Sequence, residues 1–217
     1  MKRYELLIFD MDGTILDTLT DMTDSVNYVM DKLKLPNHTY KQVRGYVGNG
    51  ARTLFEKAIG NIVDKDTVDE AVSIFREYYK NHCQDKTAPY DGIMDLLRDL
   101  KSKGYKLAVV SNKPDEAVKK LVDIYFDNIF DFSLGEKEGT RKKPAPDMVS
   151  LCLDGLNESK EKTIYIGDSD VDYMTAKNSD LDVILVTWGF KDKDFLEKFD
   201  ANYYVDKPSE IIDIIEN

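Results

Sequence analysis

The sequence predicts an α/β protein, a doubly wound (Rossmann-like) parallel sheet with an inserted α-helical domain. Three observations predict it. Short runs that are apolar throughout recur along the chain, as expected for strands covered on both faces. Helix-period stripes separate most of these runs. The stretch between residues 10 and 105 breaks the alternation, with helical stripes and no convincing strand.

The strand candidates, in order, are Tyr4 to Phe9, Lys106 to Val110, Phe132 to Leu134, Thr163 to Ile166, Val183 to Val186 and a weaker Tyr203 to Val205. Ile93, Leu96, Leu97 and Leu100 follow i, i+3, i+4, i+7, and Gly104 marks the end of that helix. Val118, Leu121, Val122 and Tyr125 repeat the spacing behind Pro114, Asp115 and Glu116, residues suited to a first helical turn. Three stripes fill the interruption: Met22, Val26, Val29, Met30, Leu33; then Ala51, Leu54, Phe55, Ala58; then Val68, Ala71, Val72, Phe75. Taken as core positions, they predict a helical bundle over residues 15–87, set into a sheet domain formed by 1–14 and 88–217.

With 42% hydrophobic and 33% charged residues, the 217-residue chain is globular rather than disordered. A net charge of -11 and the lack of a basic stripe argue against nucleic acid as a partner. The densest basic cluster, Arg141-Lys142-Lys143, suits a solvated turn. No stretch approaches the ~20 apolar residues of a membrane span, and the N-terminal run is shorter than the roughly 7–15 residues of a secretory core. The two cysteines, Cys83 and Cys152, are far apart and lack metal spacing. A cytoplasmic location is therefore expected, with no membrane contact. His38 and His82 also lack ligand spacing. Monomer and homodimer both remain open.

In a doubly wound sheet, ligands sit beyond the carboxyl ends of the strands. There the chain offers Asp10 and Asp12 after the first strand, then Ser111, Asn112 and Lys113 after the second. Lys142 and Lys143 follow the third, and Asp168, Asp170 and Asp172 the fourth. Residues i and i+2 of a strand share a side, so a first strand continuing past Phe9 would aim both early acids at one point. Two acids so placed repel unless a cation, a proton or a reaction needs them. Phosphoryl transfer fits. Carboxylates from two strands can hold Mg²⁺, a hydroxyl and a lysine can hold the phosphate, one acid can attack and its neighbour can move protons. A calcium loop fits less well, since it would need an acid or amide at Thr14, Gly at Ile15 and Glu at Asp21.

DMDGT, VVSNK, KKPAPD and GDSDVD, in that order, resemble the four motifs of the haloacid dehalogenase superfamily of phosphatases and span Asp10 to Asp172. The inserted helices resemble that superfamily's first type of cap. The resemblance implies Asp10 as nucleophile, Asp12 as acid/base, and Ser111 and Lys143 as phosphate anchors. It implies Mg²⁺ held by Asp10, Asp168 and the backbone carbonyl of Asp12, with Asp172 supporting the metal or Lys143 from behind. Asn112 joins the substrate-binding groups. Cap closure is expected to turn on hinges near Leu16 to Thr18 and Thr87 to Tyr90.

VRGYVGNGARTLFEKA (43–58) has two readings, a turn between helices or a specificity loop. In the second, Gly48 and Gly50 permit close approach, Asn49 hydrogen-bonds substrate and Arg52 pairs with a carboxylate. With TWGF at 187–190, the stretch resembles phosphoglycolate phosphatases, which implies a small phosphorylated metabolite, 2-phosphoglycolate, as substrate. A sugar phosphomutase of the β-phosphoglucomutase type, a pyrophosphatase or nucleotidase of the same fold, and a non-enzymatic binding protein stay as alternatives. A true dehalogenase needs neither Asp12 as proton donor nor the acidic metal loop.

Overall fold

In the computed structural model of the chain, residues 3–60 and 64–216 are described. Strand β1 (Leu6–Phe9) leads to a two-residue strand β2 (Leu16–Asp17) and then to four helices. These are α1 (Leu19–Lys32), α2 (Tyr40–Tyr46), α3 (Gly50–Ile59) and α4 (Lys65–His82). A second short strand, β3 (Ala88–Pro89), returns the chain to α5 (Ile93–Ser102), β4 (Lys106–Pro114), α6 (Asp115–Tyr125), β5 (Phe132–Glu136) and α7 (Asp147–Leu156). The remainder is β6 (Thr163–Gly167), α8 (Asp170–Ser179), β7 (Asp182–Val186), a short α9 (Lys193–Leu196), β8 (Tyr203–Val205) and α10 (Glu210–Glu216).

The sheet has six parallel strands in the order β5-β4-β1-β6-β7-β8. The chain builds outward from β1 on one side and then crosses to β6 on the other, so the switch point lies at β1. All four β1 residues are buried, which requires cover on both faces. Leu7 and Phe9 enter one hydrophobic cluster with Ile93, Leu97 and Ile211, while Leu6 and Ile8 enter a second with Val149, Cys152 and Ala176. The first cluster continues into the inserted helices through Val26, Phe55 and Phe75, so cap and sheet share apolar packing.

The expected strands are present with shifted ends, and two differences bear on the site. First, β4 runs on through Ser111, Asn112 and Lys113 to Pro114, with a register shift against β5 between Val110 and Pro114. The bulge keeps these residues on the sheet edge rather than in a loop. Second, the interruption contains one short helix and two short strands that the apolar pattern does not mark. Helix α2 starts at a capping box between Thr39 and Gln42. Strands β2 and β3 pair antiparallel, Leu16 with Pro89 and Asp17 with Ala88, where the chain leaves and rejoins the sheet domain.

Candidate active site

Past Phe9 the strand does not continue as the period of two requires. The Asp10 amide still donates to the Ile166 carbonyl at 2.8 Å, extending the ladder by one residue. The chain then turns on itself: the Met11 carbonyl accepts from Ile15 at 3.1 Å and Leu16 at 3.0 Å, and Gly13 sits at φ +86°. Asp10 and Asp12 still border one cavity, but each carboxylate has its own lysine. Lys143 Nζ lies 2.8 Å from Asp10 Oδ1, and Lys113 Nζ lies 2.7 Å from Asp12 Oδ1. Thr18 also donates to Asp12 Oδ1 at 2.7 Å.

Lys143 is 2% exposed, and its ammonium reaches Asp172 Oδ1 at 2.8 Å and the Tyr165 hydroxyl at 3.0 Å. Asp172 lies at the start of α8, where its other oxygen accepts from the Ser169 hydroxyl at 2.6 Å and the Asp168 amide at 3.2 Å. That network fixes the lysine's direction. Its backbone is fixed by Asn112, whose amide oxygen accepts from Lys143 N at 2.8 Å and whose Nδ2 donates to Lys143 O and to Gly48 O, each at 3.0 Å. Asn112 thus ties three motifs together with its side chain. Ser111 borders the same cavity, with its side chain buried.

Carboxylate oxygens of Asp10, Asp168 and Asp172 lie within 4.8 Å of one another, and all three residues are buried. Asp10 Oδ1 faces Lys143 without an aligned hydrogen bond, which leaves a buried anionic oxygen undersatisfied. Burial raises the Asp10 carboxyl to about 7; Lys143 opposes the shift, while Asp172 and Asp12 add to it. Burial likewise raises Asp168, with Asp172 and Asp10 adding repulsion. A surplus of buried carboxylates with an undersatisfied oxygen suits a hard divalent cation such as Mg²⁺. Both oxygens of Asp172 are engaged, Oδ1 by Lys143 and Oδ2 by Ser169, whereas Asp10 meets Lys143 and Asp168 meets Phe190 N through one oxygen each, so Asp10 and Asp168 are the acids with an oxygen to offer an ion. Asp12 Oδ1 is turned to Lys113 and Thr18, away from the Asp10, Asp168 and Asp172 cluster's own contacts.

Gly189 explains part of TWGF. A Cβ there would meet the Asp168 carboxylate and the Gly13 carbonyl at 2.4 Å each. Only glycine lets this loop pass close enough for Phe190 N to donate to Asp168 Oδ2 at 2.6 Å. Trp188 secures the loop by donating to Thr14 O at 3.0 Å.

The cavity is small, about 40 Å³, room for on the order of three water centres. The inserted helices supply its apolar wall through Met22, Val47, Ala51, Leu54, Phe75 and Tyr79. Gly48 and Gly50 border it as well. Asn49 and Arg52 do not follow the specificity-loop expectation. Arg52 is half-exposed and pairs with Asp69 on α4, because its position on α3 turns it outward from the buried face. Asn49 contributes its carbonyl, which accepts from Lys142 at 2.5 Å. Two residues beyond the expected roles stand out. Lys113 bridges Asp12 and Tyr79, and Thr18 supports Asp12. SNK at the sheet edge was the available signal for the first; nothing in sequence marks Tyr79 apart from core aromatics.

The model of haloacid dehalogenase-like hydrolases matches residues 7–186. The phosphoglycolate phosphatase of Aquifex aeolicus is 34% identical over 214 residues, covering 98% of this chain and 97% of the relative. That of Psychrobacter arcticus is 30% identical over 219 residues, covering 97% and 95%. Among solved structures, a candidate phosphoglycolate phosphatase from Lactobacillus delbrueckii subsp. bulgaricus superposes with TM-score 0.94 at 41% identity, covering 99% of both chains. The chain belongs to the haloacid dehalogenase-like hydrolases. Within that family it is a phosphatase, a phosphoric monoester hydrolase of the phosphoglycolate phosphatase-like kind.

Proposed function

We propose that the enzyme hydrolyses 2-phosphoglycolate to glycolate and phosphate through an aspartyl-phosphate on Asp10. The observation that carries this reading is the convergence of Asp10, Asp12, Ser111, Lys143 and Asp168 on one small cavity under an apolar lid. Lys143 and Ser111 hold the phosphoryl oxygens. An Asp10 carboxylate oxygen attacks phosphorus as the bond to the leaving oxygen breaks, and Asp12 gives that oxygen its proton. Water then attacks the acyl phosphate, Asp12 takes the water's proton, and phosphate departs with Asp10 restored. Asp10, Asp168 and the Asp12 carbonyl would hold Mg²⁺, which when bound offsets charge on the phosphoryl group. The relatives named above support glycolate as the leaving group.

The test is phosphate release from 2-phosphoglycolate, glucose 1-phosphate, nucleoside monophosphates and pyrophosphate, with Mg²⁺ and with EDTA. The expected result is Mg²⁺-dependent release with a strong preference for 2-phosphoglycolate. Conversion of glucose 1-phosphate to its isomer without release would make the protein a mutase. Broad, weak release would keep the chemistry and remove the substrate.

A further inference from the structure

The reaction above gives no task to Lys113, the cavity's second buried lysine, 4% exposed. Its ammonium touches two groups from separate parts of the chain. Asp12 Oδ1 lies at 2.7 Å and the hydroxyl of Tyr79, on α4, at 2.6 Å. An ammonium has three donors. Two are engaged with these partners among the described residues, which leaves one for a ligand in the cavity.

Position says which ligand. Lys143 belongs to the cluster of Asp10 and Asp172, on the phosphoryl side. Lys113 belongs to Asp12, the group that meets the leaving oxygen. A leaving group entering there finds Met22, Val47, Leu54 and Phe75, none of which can pair with charge. An anion buried among them without a partner would be strongly disfavoured. Of the cations nearby, Lys113 is the one that touches Asp12 among the described residues. Arg52 points out to Asp69, and Lys191, at the cavity border, sits 5.9 Å from the ring centre of Phe195. In a phosphoglycolate-like ester the carboxylate carbon is two bonds from the leaving oxygen, so a cation on Asp12 stands within its reach.

We infer that Lys113, held in place by Tyr79, reads a carboxylate on the leaving group and so selects short phosphooxy acids over neutral esters of the same size. The inference rests on the phosphatase reading above and assigns its specificity to a residue of the sheet edge. The cap takes part through Tyr79, which stacks on Phe75 at 4.9 Å and thereby offers its hydroxyl to Lys113 in a fixed place. Tyr79 is a positioning residue.

The experiment compares kcat/KM for 2-phosphoglycolate with that for ethyl phosphate, in which a methyl replaces the carboxylate. It uses the full-length enzyme with Mg²⁺ and the variants Lys113→Met, Lys113→Arg and Tyr79→Phe. Lys113→Met also disturbs Asp12, so both substrates suffer, and the ratio is the readout. That ratio should fall on the order of 10–100-fold in Lys113→Met, mainly through KM for 2-phosphoglycolate. Lys113→Arg should recover part of it. Tyr79→Phe removes one oxygen and keeps the ring stack, so it tests the inference even if Lys113→Met does not fold; its ratio should fall several-fold. A wild-type preference for 2-phosphoglycolate that survives unchanged in the variants overturns the role of Lys113 and leaves the substrate assignment standing. A wild type that hydrolyses both esters equally removes carboxylate recognition, and Lys113 with it, while the phosphatase chemistry stands.

Discussion

Asp10 and Asp172 depend on Lys143 for different reasons, and substitutions separate them. Asp10→Asn deletes the attacking oxygen's charge while keeping shape, so phosphate release should drop by several orders of magnitude with the fold intact. A folded Asp10→Asn enzyme with wild-type turnover would refute the aspartyl-phosphate. Asp172→Ala instead leaves Lys143 and Ser169 without their shared partner in a fully buried place. Lys143 keeps Asp10 at 2.8 Å, so the expected cost is that of the stranded Ser169 hydroxyl and Asp168 amide, about 1–3 kcal/mol of stability, read as a lowered denaturation midpoint. Gly189→Ala adds one methyl at 2.4 Å from Asp168 and the Gly13 carbonyl. It should weaken Mg²⁺ binding at least several-fold in calorimetric titration, because the displaced groups are the acid and the turn that frame the site. Unchanged Mg²⁺ affinity would mean the loop moves aside freely.

At the scale of elements, a buried carboxylate ties down the first cap helix. Asp21 on α1 is 2% exposed and accepts from Lys86 N at 2.9 Å, Thr87 N at 2.8 Å and the Thr87 hydroxyl at 2.9 Å. These bonds tie the first cap helix to the chain just before β3, beside the β2–β3 ribbon. Asp21→Ala would strand two backbone donors and should cost about 1–3 kcal/mol, a fall in melting temperature of roughly 2–12 °C. A melting temperature within a degree of wild type would show that the ribbon and the Lys86–Asp24 pair hold the junction without Asp21. The sequence makes the sheet legible because doubly buried strands are written as unbroken apolar runs, and the helices because their stripes last several turns. The ribbon and α2 are too short to leave a period: two residues per strand, and a helix with one buried residue, Val43. Arrival at the sheet edge was legible from the order of strands and loops, and side-chain direction on a helix was not. Lys143, Ser111 and Asp168 reach the cavity as the sheet edge predicts. Arg52 does not, because one position around a helix decides between cavity and solvent. The pairing of Lys113 with Tyr79 joins residues 34 apart in sequence through tertiary packing alone.

For the whole molecule, the balance of buried charge links stability, pH and the metal. Asp10, Asp12, Asp168 and Asp172 face Lys113 and Lys143, four acids against two bases, so full ionisation leaves the site with an excess of two negative charges. Burial and that excess raise Asp10 to about 7 and also raise Asp168. In the unfolded chain an aspartate releases its proton near 3.9. Between those values the metal-free native state binds more protons than the unfolded state, and its stability falls as pH rises. Asp10's contribution is complete below about pH 4 and is lost as pH rises through about 7, on the order of a few kcal/mol. A divalent cation takes the proton's place, so Mg²⁺ binding releases protons and strengthens with pH. The melting temperature of the metal-free enzyme should therefore decline from pH 5 to pH 8, and saturating Mg²⁺ should raise it more at pH 8 than at pH 5. Asp10→Asn, which has no proton to lose, should make the metal-free decline shallower, with Asp168 supplying what remains. A Mg²⁺ effect of equal size at both pH values, or larger at pH 5, would place the ion's stabilising contacts outside this cluster.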